Sequence, residues 1–143
     1  MEIITDLMFD CLAILLYSVV GVVLMALGFV LVDLVTPGNL RKQVWREHNR
    51  NGAILLASNM VSLGMIVAAA IYVSEGNLVV GLASSFMYGI IGLIVMGLSF
   101  VLLDVMTPGK LGKILITQEN HPAVWVSASV HFAVGLIIVA GLS

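Results

Sequence analysis

Cysteine, cations and charge of either sign are all scarce in this chain, and each shortage removes a class of protein. Cys11 is the single cysteine, so no intrachain disulfide framework can staple a small secreted scaffold. Six Lys+Arg against eight Asp+Glu leave a net charge of −2. Six cations are too few to coat a nucleic-acid-binding surface, so no nucleic-acid partner is expected. Only 10% of the residues are charged, where an ordinary soluble domain has about 25%. Hydrophobic residues make up 61% of the 143, and the mean hydropathy of +1.16 is far above what a disordered chain carries. What remains is an integral membrane protein, with the lipid bilayer as its first partner.

Four stretches contain no Asp, Glu, Lys or Arg: Cys11–Val32, Asn51–Ser74, Gly76–Leu103 and Asn120–Ser143. Each reaches the roughly 20 apolar residues that a helix needs to cross a hydrocarbon core. The apolar runs are continuous, not alternating, which excludes β-barrel strands. Residues 1–10 carry Glu2, Asp6 and Asp10 and no cation, unlike the basic start of a secretory signal, so the first span is expected to stay in the mature protein. All six cations fall between spans one and two (Arg41, Lys42, Arg46, Arg50) or between spans three and four (Lys110, Lys113). The positive-inside rule then places both loops in the cytoplasm and both termini on the outer side of the membrane.

Shifted by 71 residues, the sequence matches itself without a gap. Over 11–72 against 82–143, 19 of 62 pairs are identical. The densest stretch shares D-x-x-T-P-G-x-L-x-K: Asp33, Thr36, Pro37, Gly38, Leu40 and Lys42 against Asp104, Thr107, Pro108, Gly109, Leu111 and Lys113. Asn49 and Asn120 extend the match. The expected fold is an all-α membrane protein, one transmembrane domain with four spanning helices arranged as two tandem two-helix repeats. Two spans per repeat make the repeats parallel, related by an axis along the membrane normal. Small residues on the helix faces favour a homo-oligomer.

Each loop should hold a short juxtamembrane helix, over Pro37–His48 and Pro108–Glu119. Threonine is a good N-cap and proline suits the first helical position, so Thr36-Pro37 and Thr107-Pro108 read as helix starts. In the first, Leu40, Val44 and Trp45 share an arc opposite Lys42 and Arg46, the pattern of a helix lying in the membrane interface. In the second, Leu111, Ile114, Leu115 and Ile116 form a broader apolar face that should sit deeper or against protein. Asp33 and Asp104 read in two ways. They accept hydrogen bonds from the N–H groups of the following helix, or they form an ion site at the cytoplasmic mouth. Asn49 and Asn120 read as caps or turn residues.

Inside the membrane, His131 lies near the middle of span four, and its counterpart 71 residues earlier is Met60. Ala128, His131 and Gly135 share one helix face, so the imidazole should point into a helix seam. Two roles follow: interhelical hydrogen bonding, or a proton or cation path. Asn59, Ser58 and Ser62 make a polar stripe on span two, Ser127 and Ser129 on span four, Ser84 and Ser85 on span three. Tyr17 and Tyr88 each precede a glycine by four residues, Gly21 and Gly92, and should mark a packing face in both halves. No two histidines share a helical face, so no metal or other cofactor is expected. No nucleophile has a basic partner nearby, and an enzyme is not expected.

The duplicated layout and the paired D-x-x-T-P-G motif with its following asparagine resemble a bacterial inner-membrane family catalogued as domain of unknown function 350, the YjfL type. The resemblance covers essentially the whole chain, one unit per half. It implies the architecture but no activity. Members are similar to proteins found near envelope-stress and ATP-grasp ligase genes, which implies a membrane partner in a stress system. The expected function is an oligomeric scaffold or regulatory component whose loop residues Arg41, Lys42, Arg46 and Arg50 touch anionic lipid or a cytosolic protein. The alternative is a proton or small-cation channel or transporter lined by His131, Asn59 and the Asp33/Asp104 pair.

Overall fold

The computed structural model describes residues 2–74, 77–117 and 120–142. The expected span start at Gly76, the span end at Ser143 and the helix end at Glu119 lie outside the described residues. Six helices follow one another: α1 Glu2–Val35, α2 Leu40–Trp45, α3 Arg50–Tyr72, α4 Leu78–Met106, α5 Leu111–Ile116 and α6 Ala123–Leu142. There is no β-strand among the described residues. Helices α1, α3, α4 and α6 are each long and apolar enough to cross a membrane, which makes this a multi-pass membrane protein.

The four long helices match the four uncharged stretches but are not equal. At 1.5 Å per residue, α6 is about 30 Å long and α1 about 51 Å. Helix α1 therefore outreaches the hydrocarbon core. Its first three turns hold Asp6 and Asp10 beside exposed Ile3, Leu7 and Met8, so the helix continues through the expected boundary at Cys11. Helices α3 and α4 form an inner pair that packs against each other and against both remaining spans, while α1 and α6 flank them on opposite sides. Close approach is set by glycine. A Cβ on Gly89 would lie 2.5 Å from Leu24 Cδ1, and one on Gly135 would lie 2.9 Å from Ser62 Cβ.

The largest buried cluster is at the loop end of the bundle, not at mid-membrane. Val32, Leu55, Phe100 and Val124 from the four long helices converge there with Leu40 of α2 and Leu111 and Leu115 of α5. The two loop helices are thus built into the core. A smaller cluster, Leu24, Leu63 and Leu93, fills the seam among α1, α3 and α4.

The loop helices are shorter than expected, and their starts are not at Thr-Pro. The residue before a proline is pushed out of the α region, and Thr107 is extended with ψ 118°. Thr107 instead closes α4, its amide and Oγ1 both donating to the Leu103 carbonyl, at 2.9 and 2.7 Å. The Thr36 amide likewise donates to Val32 O, at 3.0 Å. Gly38 (φ +95°) and Gly109 (φ +96°) then turn the chain back in the left-handed region. The N-cap of α2 is Asn39, whose Oδ1 accepts from the Lys42 amide at 2.9 Å. Lys110 precedes α5 at φ 63° with no side-chain cap. The Thr-Pro-Gly signal is a helix stop followed by a turn.

Candidate functional site

Two polar regions are positioned by this fold: a seam inside the membrane and a platform built from the two loops. In the seam, His131 is buried and its Nδ1 lies 3.2 Å from Ser58 Oγ across the α3–α6 contact. One turn along α3, Ser62 Oγ donates to the His131 carbonyl, at 2.9 Å, and also to Ser58 O, at 2.8 Å. Ser58, Ser62 and His131 thus fasten α3 to α6. The tight Gly135–Ser62 approach closes the seam directly beside them.

Asn59 points elsewhere. Its Nδ2 donates to Met96 Sδ of α4 at 3.4 Å, and its Oδ1 lies over Gly28 of α1, where a Cβ would come within 2.8 Å. Oδ1 has no hydrogen-bond partner among the described residues. The expected stripe of Ser58, Asn59 and Ser62 therefore divides between two seams, because residues 58 and 59 differ by 100° around the helix. Ser127 is buried and donates to Ala123 O, while Ser129 is exposed and donates to Trp125 O, so these two also face different ways. Ser85 is buried, and its Oγ has no partner among the described residues. Among the described residues, Ser58, Ser62 and His131 share the α3–α6 seam, while Asn59 faces α4 and α1.

The tyrosines and their glycines behave differently in the two halves. Tyr17 is half-buried, and its hydroxyl lies over Gly81, as does Ser74 Oγ. Tyr88 is half-buried. Gly92 packs against Ile66, whose Cδ1 would lie 2.6 Å from an added Cβ. Gly21, its partner in the repeat, has nothing within 4 Å of that position. In the first half the face packs at Tyr17 and Gly28 and is open at Gly21, whereas in the second half the glycine itself is filled.

On the platform, each aspartate accepts a loop amide. Asp33 Oδ1 accepts from Leu40 N at 2.7 Å, and Asp104 Oδ1 from Gly112 N at 2.9 Å. Asn49 is the N-cap of α3, its Oδ1 accepting from the amides of Asn51, at 2.9 Å, and Gly52, at 3.3 Å. Its Nδ2 donates to Leu115 O of α5, at 2.8 Å. Asn51 Nδ2 adds a bond to Thr117 O, at 3.2 Å. The first loop is thereby tied to the second. Asn120 does not repeat this role. It is exposed, and the start of α6 is capped by His121, whose Nδ1 accepts from Ala123 N at 3.2 Å.

The outer face of the platform is basic. Arg41, Lys42, Arg46 and Arg50 are all exposed. The first three surround an open cavity of about 1000 Å³ that Phe29 and Trp45 also line. The two rings sit 6.0 Å apart, tilted by 56°. Lys42 Nζ is 3.1 Å from Glu47 Oε1. Arg41 and Arg46 have no ion pair among the described residues. Position 41 also shows why the loops differ. Its repeat partner is Gly112, where a Cβ would meet Pro37 Cδ at 2.7 Å, so an arginine there would collide with the first loop. The sequence pattern showed the basic residues and Trp45, but not that Phe29 of α1 completes the wall.

The family description Domain of Unknown Function (DUF350) matches residues 3–142. The chain belongs to the DUF350 family. It is 35% identical over 139 residues to a UPF0719 transmembrane protein of Mycobacterium bovis, covering 97% of this chain and 91% of that protein. A UPF0719 transmembrane protein of Mycobacterium tuberculosis matches to the same extent. One from Mycolicibacterium paratuberculosis is 30% identical over 131 residues, covering 92% of this chain and 87% of its own length. No solved structure matches. The description of these relatives as transmembrane proteins agrees with the four apolar helices of this chain in making it a membrane protein.

Proposed function

We propose that this chain is a non-enzymatic scaffold or regulatory component of the bacterial inner membrane, whose cytoplasmic basic cavity holds the headgroup of an anionic phospholipid. The observation that carries the reading is the cavity itself. Arg41 and Arg46 flank an aromatic wall of Phe29 and Trp45 where α1 leaves the membrane. Aromatic rings anchor at the headgroup level, and cations there attract anionic lipid. Both loops face the cytoplasm in this reading, because every cation of the chain lies on that side.

Each Lys or Arg near an anionic surface contributes about 1 kcal/mol. Removing two should therefore weaken retention of an anionic lipid about 30-fold. The test uses Trp125→Phe protein in phosphatidylcholine nanodiscs, leaving Trp45 as the single tryptophan. Its emission is followed as phosphatidylglycerol replaces phosphatidylcholine, with Arg41→Gln/Arg46→Gln beside it. A midpoint shifted to much higher phosphatidylglycerol supports the reading, and the response should weaken with added salt. Identical midpoints sink it.

A proton or cation path near His131 is the second reading. It is favoured by one observation, an ionisable ring buried at mid-span. Proton flux into liposomes that His131→Leu abolishes would support it. The Ser58 and Ser62 bonds give that histidine a fastening role without any flux.

A further inference from the structure

The two halves share their sequence but not their surroundings, and the difference leaves one face of the molecule incomplete. In the second half, α4 and α6 form a groove that is occupied. Ile66 of α3 enters it, its Cδ1 lying against Gly92, and the same Gly92 position is 3.7 Å from Ile138 Cδ1. Ser62, one turn away, sits against Gly135. Helix α3 is seated in the groove of the other repeat because two glycines let it approach.

The matching residues of the first half are Gly21, Gly64 and Val67, each 71 positions earlier. They line a groove between α1 and α3 of about 190 Å³. Nothing lies within 4 Å of a Cβ at Gly21 or at Gly64. The residues that match the entering Ser62 and Ile66 are Ala133 and Ile137 of α6. Ala133 is exposed, and Ile137 is 69% exposed. The chain thus carries an empty socket on its first repeat and an unused plug on its second. A closed two-fold between the repeats would have set Ala133 against Gly64 within one molecule. The empty space at Gly64 shows that this contact is not made.

We infer that copies of this chain associate head to tail in the membrane, with Ala133 and Ile137 of one copy seated in the Gly21–Gly64 groove of the next. The contact repeats between molecules the interface that joins the two halves within one. The occupant follows from that continuity: the surface that fits this groove is already written in α6. The matching flank is also available. Leu31 packs on Gly97 inside the molecule, and the corresponding pair, Leu102 and Ala26, is exposed. Such a heterologous contact uses two different faces of each copy. It keeps every copy in the same orientation across the bilayer, since each repeat has two spans. The inference does not depend on the lipid reading of the loop cavity.

The test mixes two singly substituted proteins in liposomes, both in a Cys11→Ser background, one Gly64→Cys and the other Ala133→Cys. A short bifunctional maleimide should link them only in the mixture, and neither alone. Self-linking of either variant would mean a symmetric contact and would overturn the proposal, as would the absence of a mixed product. Gly64→Leu provides the second arm. The site is open within one molecule, so the helical circular dichroism should be unchanged, while association measured by subunit photobleaching falls at least about ten-fold. Unchanged association would show a groove filled by lipid or by another protein. Failure of this variant to fold would show that the space is not open. Either result refutes the inference.

Discussion

Replacing Asn49 by alanine should destabilise the chain by about 2–4 kcal/mol, through two separable losses. The first is the cap. Asn49 Oδ1 satisfies two amides at the start of α3, and losing an N-cap costs about 1 kcal/mol. The second is the bond from Nδ2 to Leu115 O. That carbonyl ends a six-residue helix inside the loop-end core, and leaving a buried acceptor unmet costs about 1–3 kcal/mol. Asn49→Ser keeps a cap acceptor but is too short to reach Leu115 O, so it should recover only the cap's share of about 1 kcal/mol. Asn120→Ala removes the residue at the repeat-related position, which is exposed, and should stay within about 0.5 kcal/mol of wild type. The assay is reversible unfolding by SDS in mixed micelles, followed by far-ultraviolet circular dichroism. If Asn49→Ala proved as mild as Asn120→Ala, the bond to α5 would not be holding the loops together and the reasoning would fail.

Other expectations follow from the same contacts. Gly135→Ala places a methyl 2.9 Å from Ser62 Cβ and should lose about 1–3 kcal/mol in the same unfolding assay. Gly64→Ala, with open space at its Cβ, should be neutral or slightly stabilising, because alanine favours helix over glycine. A double-mutant cycle of Ser58→Ala and His131→Leu should give a coupling of about 0.5–1.5 kcal/mol; a value of zero would mean that the 3.2 Å contact does not hold α3 to α6. Alkaline phosphatase fused after residue 142 should be active in a bacterial host, and the same fusion after Arg46 inactive. The reverse pattern would invert the assigned orientation.

Much of the architecture was legible from residue type alone. Four uncharged stretches became α1, α3, α4 and α6, because a bilayer accepts a chain only as helices that satisfy their own backbone. The chain direction at the loops was harder. Threonine before proline carries both a start signal and a stop signal. The stop prevails at Thr107, because the proline ring forces the preceding residue to be extended, and a glycine beyond it is free to turn. The polar stripe on α3 divides in the tertiary structure. Ser58 and Asn59 are neighbours in sequence, but one faces α6 and the other faces α4 and α1.

By itself, the sequence determined the four apolar stretches, the placement of every cation between the first and second or the third and fourth of them, and a self-match at an offset of 71 residues. Those properties depend only on hydrophobicity, charge and order along the chain. Tertiary structure alone decided what each matching residue does. Gly92 and Gly135 receive Ile66 and Ser62, while Gly21 and Gly64 face open space. Asn49 ties two loops together, while Asn120 is exposed. Position 41 carries a charge to the surface, while position 112 must be glycine to clear Pro37. Where the two halves pack against different neighbours, matching residues meet different environments, although Asp33 and Asp104 still accept equivalent loop amides. Identity in sequence then cannot fix identity in role.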